Sequence, residues 1–193
     1  MTFSIIGRES ETFGVGVASG SIGVIDRVPW VREDVGAIAT QAYTETMYGK
    51  RGILLLERGE DPQKILRKLV GEDLEPGKRQ VAIMDRDGKK AVHTGSSCPR
   101  EISSKKGRDC IAIGNMLENE KTVSAMVENF EKSDGKLASR IIMALKRGAR
   151  VGGDRRENRT AALVVRGKEK LDIGVDFHRT PIKELERKYK NHK

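Results

Sequence analysis

The stretch TFSIIGRESETFGVGVA, residues 2–18, decides how the fold begins. Its two apolar runs, residues 2–7 and 12–18, predict two strands, and the short polar segment RESE between them predicts a hairpin connection. Gly14 and Gly16 inside the second run indicate close approach of another backbone. The chain therefore begins with an antiparallel strand pair.

Outward from this hairpin, residues 35–40 (VGAIAT) predict a third strand, which is apolar throughout, as buried strands are. We expect it to lie beside the first two strands in one of two stacked sheets. Residues 48–58 then predict a helix, and a second helix over residues 61–70 begins with Asp61 as N-cap and a proline at the first helical position. Both helices are expected to lie outside the sheet.

The remainder of the chain repeats this grouping of strands followed by helices. Because the elements are grouped rather than strictly alternating, the pattern predicts an α+β fold and not a doubly wound parallel sheet. The predicted strands cover residues 79–85, 89–95, 110–115, 160–165 and 171–177, and apolar residues at helical spacing lie in residues 123–130, in 137–145 and after Pro181.

Length and hydropathy define the class of protein. The chain has 193 residues, within the range of about 100–200 that is typical of one domain. We therefore predict a single domain over residues 1–193, including a short basic C-terminal helix at about 181–193. The apolar runs are far shorter than the about 18 residues of a membrane span, and the first residues lack the pattern of a signal peptide. We expect a cytoplasmic protein with no membrane partner.

Metal and disulfide chemistry is not expected. Cys98 and Cys110 do not form a disulfide framework, no CxxC pair is present, and the three histidines are scattered along the chain. The sequence predicts two free thiols, no zinc site and no cofactor.

The net charge of +9 is concentrated in residues 140–159 and in the tail after Arg179. A basic patch is typical of nucleic-acid binding, but no aromatic side chains interleave with these charges, as single-strand binding would require. We therefore expect Arg147, Arg150 and Arg155 to be exposed and not to share one groove with the tail lysines. Association with nucleic acid is therefore less favoured than the two functions discussed below.

Five stretches in order resemble a family of unknown function that is assigned to the N-terminal nucleophile (Ntn) hydrolase superfamily. They are TFSIIGR with GVGVASG, VPW with VGAIATQAY, YGKRGILLLERGEDP, RQVAIMDRDG with HTGSSC, and GGDRR with TAALVV. The resemblance implies a four-layer α-β-β-α sandwich in which two antiparallel sheets pack face to face under helices. The chain has Gly20 near the place where proteasome-type relatives carry a lysine, a departure that argues against proteasome-like catalysis unless Arg27 or Arg32 supplies the positive charge.

The resemblance implies that Thr2 is the nucleophile once Met1 is removed. The threonine hydroxyl then attacks, and the α-amine of the same residue acts as the base. An α-amine has a pKa of about 7.7–8.0, so a useful fraction is neutral near pH 7. A retained Met1 would convert this amine into an amide with no basicity.

Further site residues are implied around this nucleophile. Ser19 ends the second strand near the nucleophile. Gln41 lies in the region that supplies the oxyanion hole in Ntn folds, or it is a buried glutamine whose hydrogen bonds are satisfied within the protein. Asn115 either donates its amide to the oxyanion or caps the following loop, and Asp154 either orients the amine or holds the neighbouring arginines. His93 is predicted to be structural.

The resemblance implies an amidohydrolase that uses Thr2 on a small amide or a peptide bond. The alternative is an Ntn-fold protein without catalysis that binds a small ligand or a partner. Folds of this type often form homo-oligomers through their helical layers.

Overall fold

The computed structural model of the chain describes residues 2–152 and 158–192. These residues form an α+β fold with two antiparallel sheets and five α-helices. The strands are β1 Thr2–Glu9, β2 Thr12–Ser19, β3 Pro29–Arg32, β4 Gly36–Ala42, β5 Arg79–Asp85, β6 Lys90–Thr94, β7 Ser103–Lys106, β8 Cys110–Asn115, β9 Thr160–Arg166 and β10 Leu171–Val175. The helices are α1 Met47–Glu57, α2 Pro62–Glu72, α3 Lys121–Lys132, α4 Leu137–Gly152 and α5 Pro181–Asn191.

The predicted hairpin forms, but the third predicted strand lies in the other sheet. The six-stranded sheet has the order β10-β9-β2-β1-β8-β7, and the four-stranded sheet has the order β3-β4-β5-β6. The expectation that β4 lies beside β1 and β2 was therefore wrong. β9 pairs with the open side of β2 and β8 with the open side of β1, so neither edge is left for β4.

Side-chain alternation along the strands separates three apolar cores. One core lies between the two sheets and includes Ile6, Val15 and Ala39. A second core joins the six-stranded sheet to helices α3, α4 and α5, and a third joins the four-stranded sheet to α1 and α2. Both sheets therefore bury one face against each other and the other face against helices.

The glycines of β2 admit a helix rather than another backbone. A Cβ atom at Gly14 or at Gly16 would collide with the side chain of Ile141 in α4. The close approach inferred from these glycines is real, but its partner is an isoleucine side chain that packs directly on the strand.

Two edge strands were not predicted. β3 and β7 lie at the outer edges of their sheets. β7 reads SSKK and has no apolar alternation, and lysines are characteristic of edge strands because they discourage pairing with other chains. β3 begins with a proline, which an edge strand tolerates because one side of its backbone is unpaired.

The helix start predicted at Asp61 is confirmed. Its carboxylate accepts hydrogen bonds from the N–H groups of Gln63 at 2.9 Å and Lys64 at 3.3 Å. Cys98 and Cys110 are both free thiols, as predicted. None of the described helices has the length and apolar character that crossing a bilayer requires.

The basic segment and the tail meet, contrary to the expectation that they stay apart. Arg147 and Arg150 are exposed, as predicted, and Arg155 lies outside the described residues. However, Arg150 and Lys183 line one cavity. The cause is the packing of α5 on α4, which Glu186 secures through an ion pair of 2.7 Å with Lys146.

Candidate functional site

A layer of polar side chains closes one end of the core between the sheets. Strand alternation gives these residues the same inward direction as the apolar core residues two positions away along each strand. Thr2 is 7% exposed, and the other members are fully buried. This polar layer consists of Thr2, Ser4, Ser19, Gln41, Gln80, Asn115 and Thr160.

Gln80 lies at the centre of the polar layer. Its Nε2 donates to the backbone carbonyl of Gly114 at 3.0 Å. A carbonyl only accepts, so the orientation of the Gln80 amide is fixed and its Oε1 must face donors. Those donors are Gln41 Nε2 at 2.8 Å and Asn115 Nδ2 at 3.1 Å. The bond from Asn115 links the six-stranded sheet to the four-stranded sheet.

Gln41 holds the beginning of the chain in place. Its Nε2 also donates to the backbone carbonyl of Thr2 at 3.1 Å, and its Oε1 accepts from the hydroxyl of Ser4 at 2.5 Å. Both hydrogens of the Gln41 amide are therefore engaged within the layer. In this arrangement Gln41 positions Thr2, and its side-chain amide has no N–H left for a substrate.

The hydroxyl of Thr2 contacts the hydroxyl of Ser19 across the β1–β2 ladder, with 3.0 Å between the oxygens. Ser19 Oγ also accepts a hydrogen bond of 3.0 Å from the N–H of Ser21. Thr160 secures this loop from β9, because its hydroxyl lies 2.6 Å from the carbonyl oxygen of Ser21 and 3.2 Å from that of Ser19. Ser19, the partner of the Thr2 hydroxyl, is thus held by the Ser21 N–H at its side chain and by the Thr160 hydroxyl at its backbone carbonyl.

The backbone nitrogen of Thr2 is directed toward β8. The N–H of Arg8 donates to the carbonyl of Asp109 at 2.9 Å, which makes this a hydrogen-bonded pair of the β1–β8 ladder. Such pairs recur at every second residue, and Thr2 is opposite Asn115 in the same register. The ladder therefore points the Thr2 nitrogen toward the backbone carbonyl of Asn115.

The side chain of Asn115 is only partly satisfied. Its Oδ1 is buried and has no hydrogen-bond partner among the described residues. Its Nδ2 donates one hydrogen to Gln80, which leaves the second hydrogen without an acceptor in the same part of the chain. A buried acceptor without a partner costs roughly 1–3 kcal/mol, so Asn115 offers both an acceptor and a donor to whatever enters the layer.

Unusual backbone conformations cluster around this end of the molecule. Ala42, Glu101, Met116 and Phe177 have φ angles of 71°, 55°, 53° and 54°. They flank the ends of β4, β7, β8 and β10 that surround the polar layer. Positive φ at residues other than glycine costs of order 1 kcal/mol each and tends to occur at functional sites. The other positions of this kind in the described chain lie in hairpin turns at the opposite end.

An ion pair supports the layer from the four-stranded sheet. Arg79, next to Gln80, donates to both carboxylate oxygens of Asp73 at 2.8 and 3.2 Å and to the carbonyl of Tyr43 at 3.0 Å. This guanidinium lowers the pKa of Asp73 to about 2. Burial, reinforced by a hydrogen bond to Asp73, raises the pKa of the Tyr48 phenol. The cluster ties the loops after β4 and α2 to the start of β5.

Comparison with known proteins identifies the family. The model of the family of unknown function DUF1028 matches residues 2–185. The chain belongs to this family. A crystal structure of a DUF1028 protein from Silicibacter pomeroyi is similar, with a TM-score of 0.92 and 29% identity over 98% of this chain and 85% of that one. No curated protein matches the chain.

The resemblance inferred from the ordered stretches is therefore confirmed at the level of DUF1028, while the relation to Ntn hydrolases stays a prediction. Of the predicted site residues, Thr2, Ser19, Gln41 and Asn115 come together in the polar layer of this DUF1028 chain. Asp154 lies outside the described residues.

Gln80 was missed by sequence reasoning. Its signal is a lone glutamine among the inward positions of β5, where Ala82 and Met84 are apolar. His93 Nε2 donates to the backbone carbonyl of Pro76 at 2.8 Å, in keeping with a structural role. Arg27 and Arg32, the two candidates for a positive charge near Thr2, have other partners in the structure. Arg27 donates to the carbonyls of residues 22 and 23, and Arg32 forms an ion pair with Glu57.

Proposed function

We propose that this DUF1028 chain has the four-layer α-β-β-α sandwich of Ntn hydrolases and is an amidohydrolase with Thr2 as nucleophile after removal of Met1. The observation that supports this most is the 3.0 Å contact between Thr2 Oγ1 and Ser19 Oγ inside a buried polar layer at the end of the inter-sheet core. Purely structural packing at this end would be satisfied by apolar side chains, as it is along the rest of the core.

The proposed reaction uses the two groups that one N-terminal threonine carries. Thr2 Oγ1 attacks the carbonyl carbon of the substrate amide, and the hydroxyl proton passes to the α-amine. The α-amine becomes an ammonium, and the substrate carbonyl becomes a tetrahedral oxyanion. The C–N bond of the substrate then breaks, and the protonated α-amine of Thr2 gives its proton to the departing amine. Water adds to the acyl ester by the same route, so that the acid is released and Thr2 is regenerated.

Asn115 has the two functions that this reaction needs. The uncommitted hydrogen on Nδ2 is available to the oxyanion, the kind of interaction whose loss typically reduces rates by about 10²–10³. The unpartnered Oδ1 is available to an N–H of the Thr2 amine, on the strand position directly opposite. Gln41 and Ser19 act as positioning residues, since they hold the carbonyl and the hydroxyl of Thr2.

One observation favours the second candidate function, a DUF1028 protein that binds a ligand without catalysis. Thr2 is only 7% exposed, and a substrate carbonyl must approach within about 3–3.5 Å of the attacking oxygen. Catalysis therefore requires a movement that opens the polar layer and exposes the Thr2 hydroxyl to the substrate. A protein that only binds at this end has no such requirement at Thr2.

A screen of amide substrates separates the two functions. Protein shown by intact mass to lack Met1 is compared with the Thr2→Ala protein on a library of small N-acyl amines and peptides. The proposal predicts hydrolysis by the first protein only. Equal hydrolysis by both proteins would exclude Thr2 as the nucleophile, and binding without turnover by both would favour the second function.

A further inference from the structure

A cavity of about 380 Å³ lies between α4 and α5, and its described lining includes none of the residues of the polar layer. Its lining includes the cationic side chains Lys146, Arg150, Arg179 and Lys183 together with the apolar side chains of Ala149 and Ile182. No carboxylate lines it within the described part of the chain. The described lining is therefore basic and partly apolar.

Most of these cations have no acidic partner among the residues that the structure describes. Arg150, Arg179 and Lys183 form no ion pair with any described carboxylate, although charges further along α5 are paired. Lys146 is the exception, since Glu186 holds it at 2.7 Å. Like charges that share one cavity repel each other, and a bound anion relieves that repulsion.

The beginning of α5 adds uncapped N–H groups to the same cavity. This helix has 11 residues and starts at Pro181, which has no N–H. The Thr180 side chain makes no capping hydrogen bond, and the Thr180 N–H donates to His178 Nδ1 at 3.0 Å. The first-turn N–H groups of Ile182 and Lys183 are thus left for an acceptor other than a side-chain cap, where the helix dipole favours an anion.

A further polar atom lies at the cavity without a partner. The Oδ1 of Asn158, a lining residue, is shielded from solvent and accepts no hydrogen bond from the described residues. It is an acceptor, so it suits a hydroxyl group of a ligand rather than the anion itself. The anion and the hydroxyl would belong to one molecule.

We propose that this cavity binds the phosphate group of a small hydroxyl-bearing phosphate ester. Two guanidinium groups can each contact phosphate in bidentate fashion, and several cations match a charge near −2 better than the single charge of a carboxylate. The cavity exceeds the size of a phosphate ion, so the organic part of the ester lies on Ala149 and Ile182 with its hydroxyl at Asn158. This site is independent of the chemistry proposed for Thr2.

Isothermal titration at constant ionic strength tests the site, with inorganic phosphate and glycerol 3-phosphate as probes. The expected result is one site per chain with tighter binding of the ester. The double variant Arg179→Gln/Lys183→Gln should weaken binding about tenfold or more. Both side chains are exposed, so the fold should be unaffected, and thermal unfolding verifies this.

The matched control is Lys64→Gln/Lys68→Gln, which removes the same charge from the exposed face of α2. This variant should bind both probes as the unchanged protein does. Equal weakening in both variants would reduce the effect to overall charge and overturn the proposal. The absence of phosphate binding, or binding of an RNA oligonucleotide with no binding of either small phosphate, would also overturn it.

Discussion

Thr2 and Ser19 are opposite each other in the β1–β2 ladder, and their hydroxyl oxygens are 3.0 Å apart. The relationship follows from the register of a hairpin whose turn lies at the far end of both strands. A slip of this pairing by one residue would leave Thr2 opposite Ala18 or Gly20, and the two hydroxyls would then lie on different faces of the sheet. The register that builds the fold therefore also sets the geometry of the candidate nucleophile.

Asn115→Asp tests the environment of the Thr2 amine. A carboxylate next to the amine favours the ammonium form and raises the amine pKa. Because the neutral amine is the active base, the acidic limb of the kcat/KM profile should move to higher pH by about one unit, with lower activity at pH 7. The measurement is the pH profile of amide hydrolysis from pH 5 to 10.

The control for this prediction is Asn115→Ala, which removes the acceptor without adding charge. It should lower the rate without an upward shift of the limb. If both variants shift the limb equally, or if neither affects the rate, Asn115 does not act on the amine.

Gly49→Ala tests the packing of α1 on β3. A Cβ atom at Gly49 would collide with the indole ring of Trp30, so we expect a loss of about 1–3 kcal/mol in the free energy of unfolding. Gly71→Ala in α2 is the matched control, because a Cβ atom there meets open space. It should stabilise the protein by about 0.5–1 kcal/mol. Urea denaturation measures both, and similar effects of the two variants would contradict the packing.

We expect protonation of Asp73 to reduce the stability of the protein in acid. Arg79 lowers the pKa of Asp73 to about 2 from an ordinary value of 3.8. A depressed pKa contributes stability that is present above the unfolded value and is lost as pH falls through the folded value, here between about pH 4 and pH 2. The contribution is about 2 kcal/mol, since each pKa unit corresponds to about 1.36 kcal/mol.

The measurement compares Tm at pH 6 and pH 2.5 for Asp73→Asn and for the control Asp172→Asn. Asp172 is 59% exposed and pairs with Arg166 at the surface, so its loss should barely change the pH dependence. Asp73→Asn should lower Tm at pH 6 and flatten its decline toward acid. If Tm of Asp73→Asn falls between pH 6 and pH 2.5 as much as that of the unchanged protein, the Asp73–Arg79 pair does not cause the loss of stability in acid.

Cys110 should not react in the folded protein. Burial raises the pKa of its thiol to about 12, so almost no thiolate exists at pH 8. Burial also raises the pKa of Cys98, which is only half-buried. A disulfide reagent should therefore label Cys98 slowly and Cys110 only upon unfolding. Labelling of native Cys110 before Cys98, followed by peptide mass spectrometry, would contradict this order.

Most elements of the fold could be predicted because their sequences carry strong local signals. The predicted strands at 79–85 and 110–115 match β5 and β8 residue for residue. β7 was missed because an edge strand of polar residues has no apolar alternation. The sheet that contains β4 was assigned wrongly because apolar runs do not encode which edges are already occupied.

The candidate site could be predicted only where position along the chain gives the signal. Thr2 stands out through its place at the N-terminus, and Asn115 through its place at a strand end. Gln80 gave no such signal, since its role depends on an amide that faces another sheet. The cavity between α4 and α5 was also beyond reach, because residues far apart in sequence meet only when α5 packs.

The measurement that tests the central claim most directly is covalent labelling of Thr2 by a β-lactone, located by peptide mass spectrometry. Protein without Met1 should gain one acyl group on Thr2, and Thr2→Ser should retain labelling while Thr2→Ala loses it. A chain with one lysine inserted between Met1 and Thr2 has no free Thr2 amine and should stay unlabelled. If Met1-free protein gains no label on Thr2, or if the inserted chain is labelled there equally well, Thr2 is not an N-terminal nucleophile.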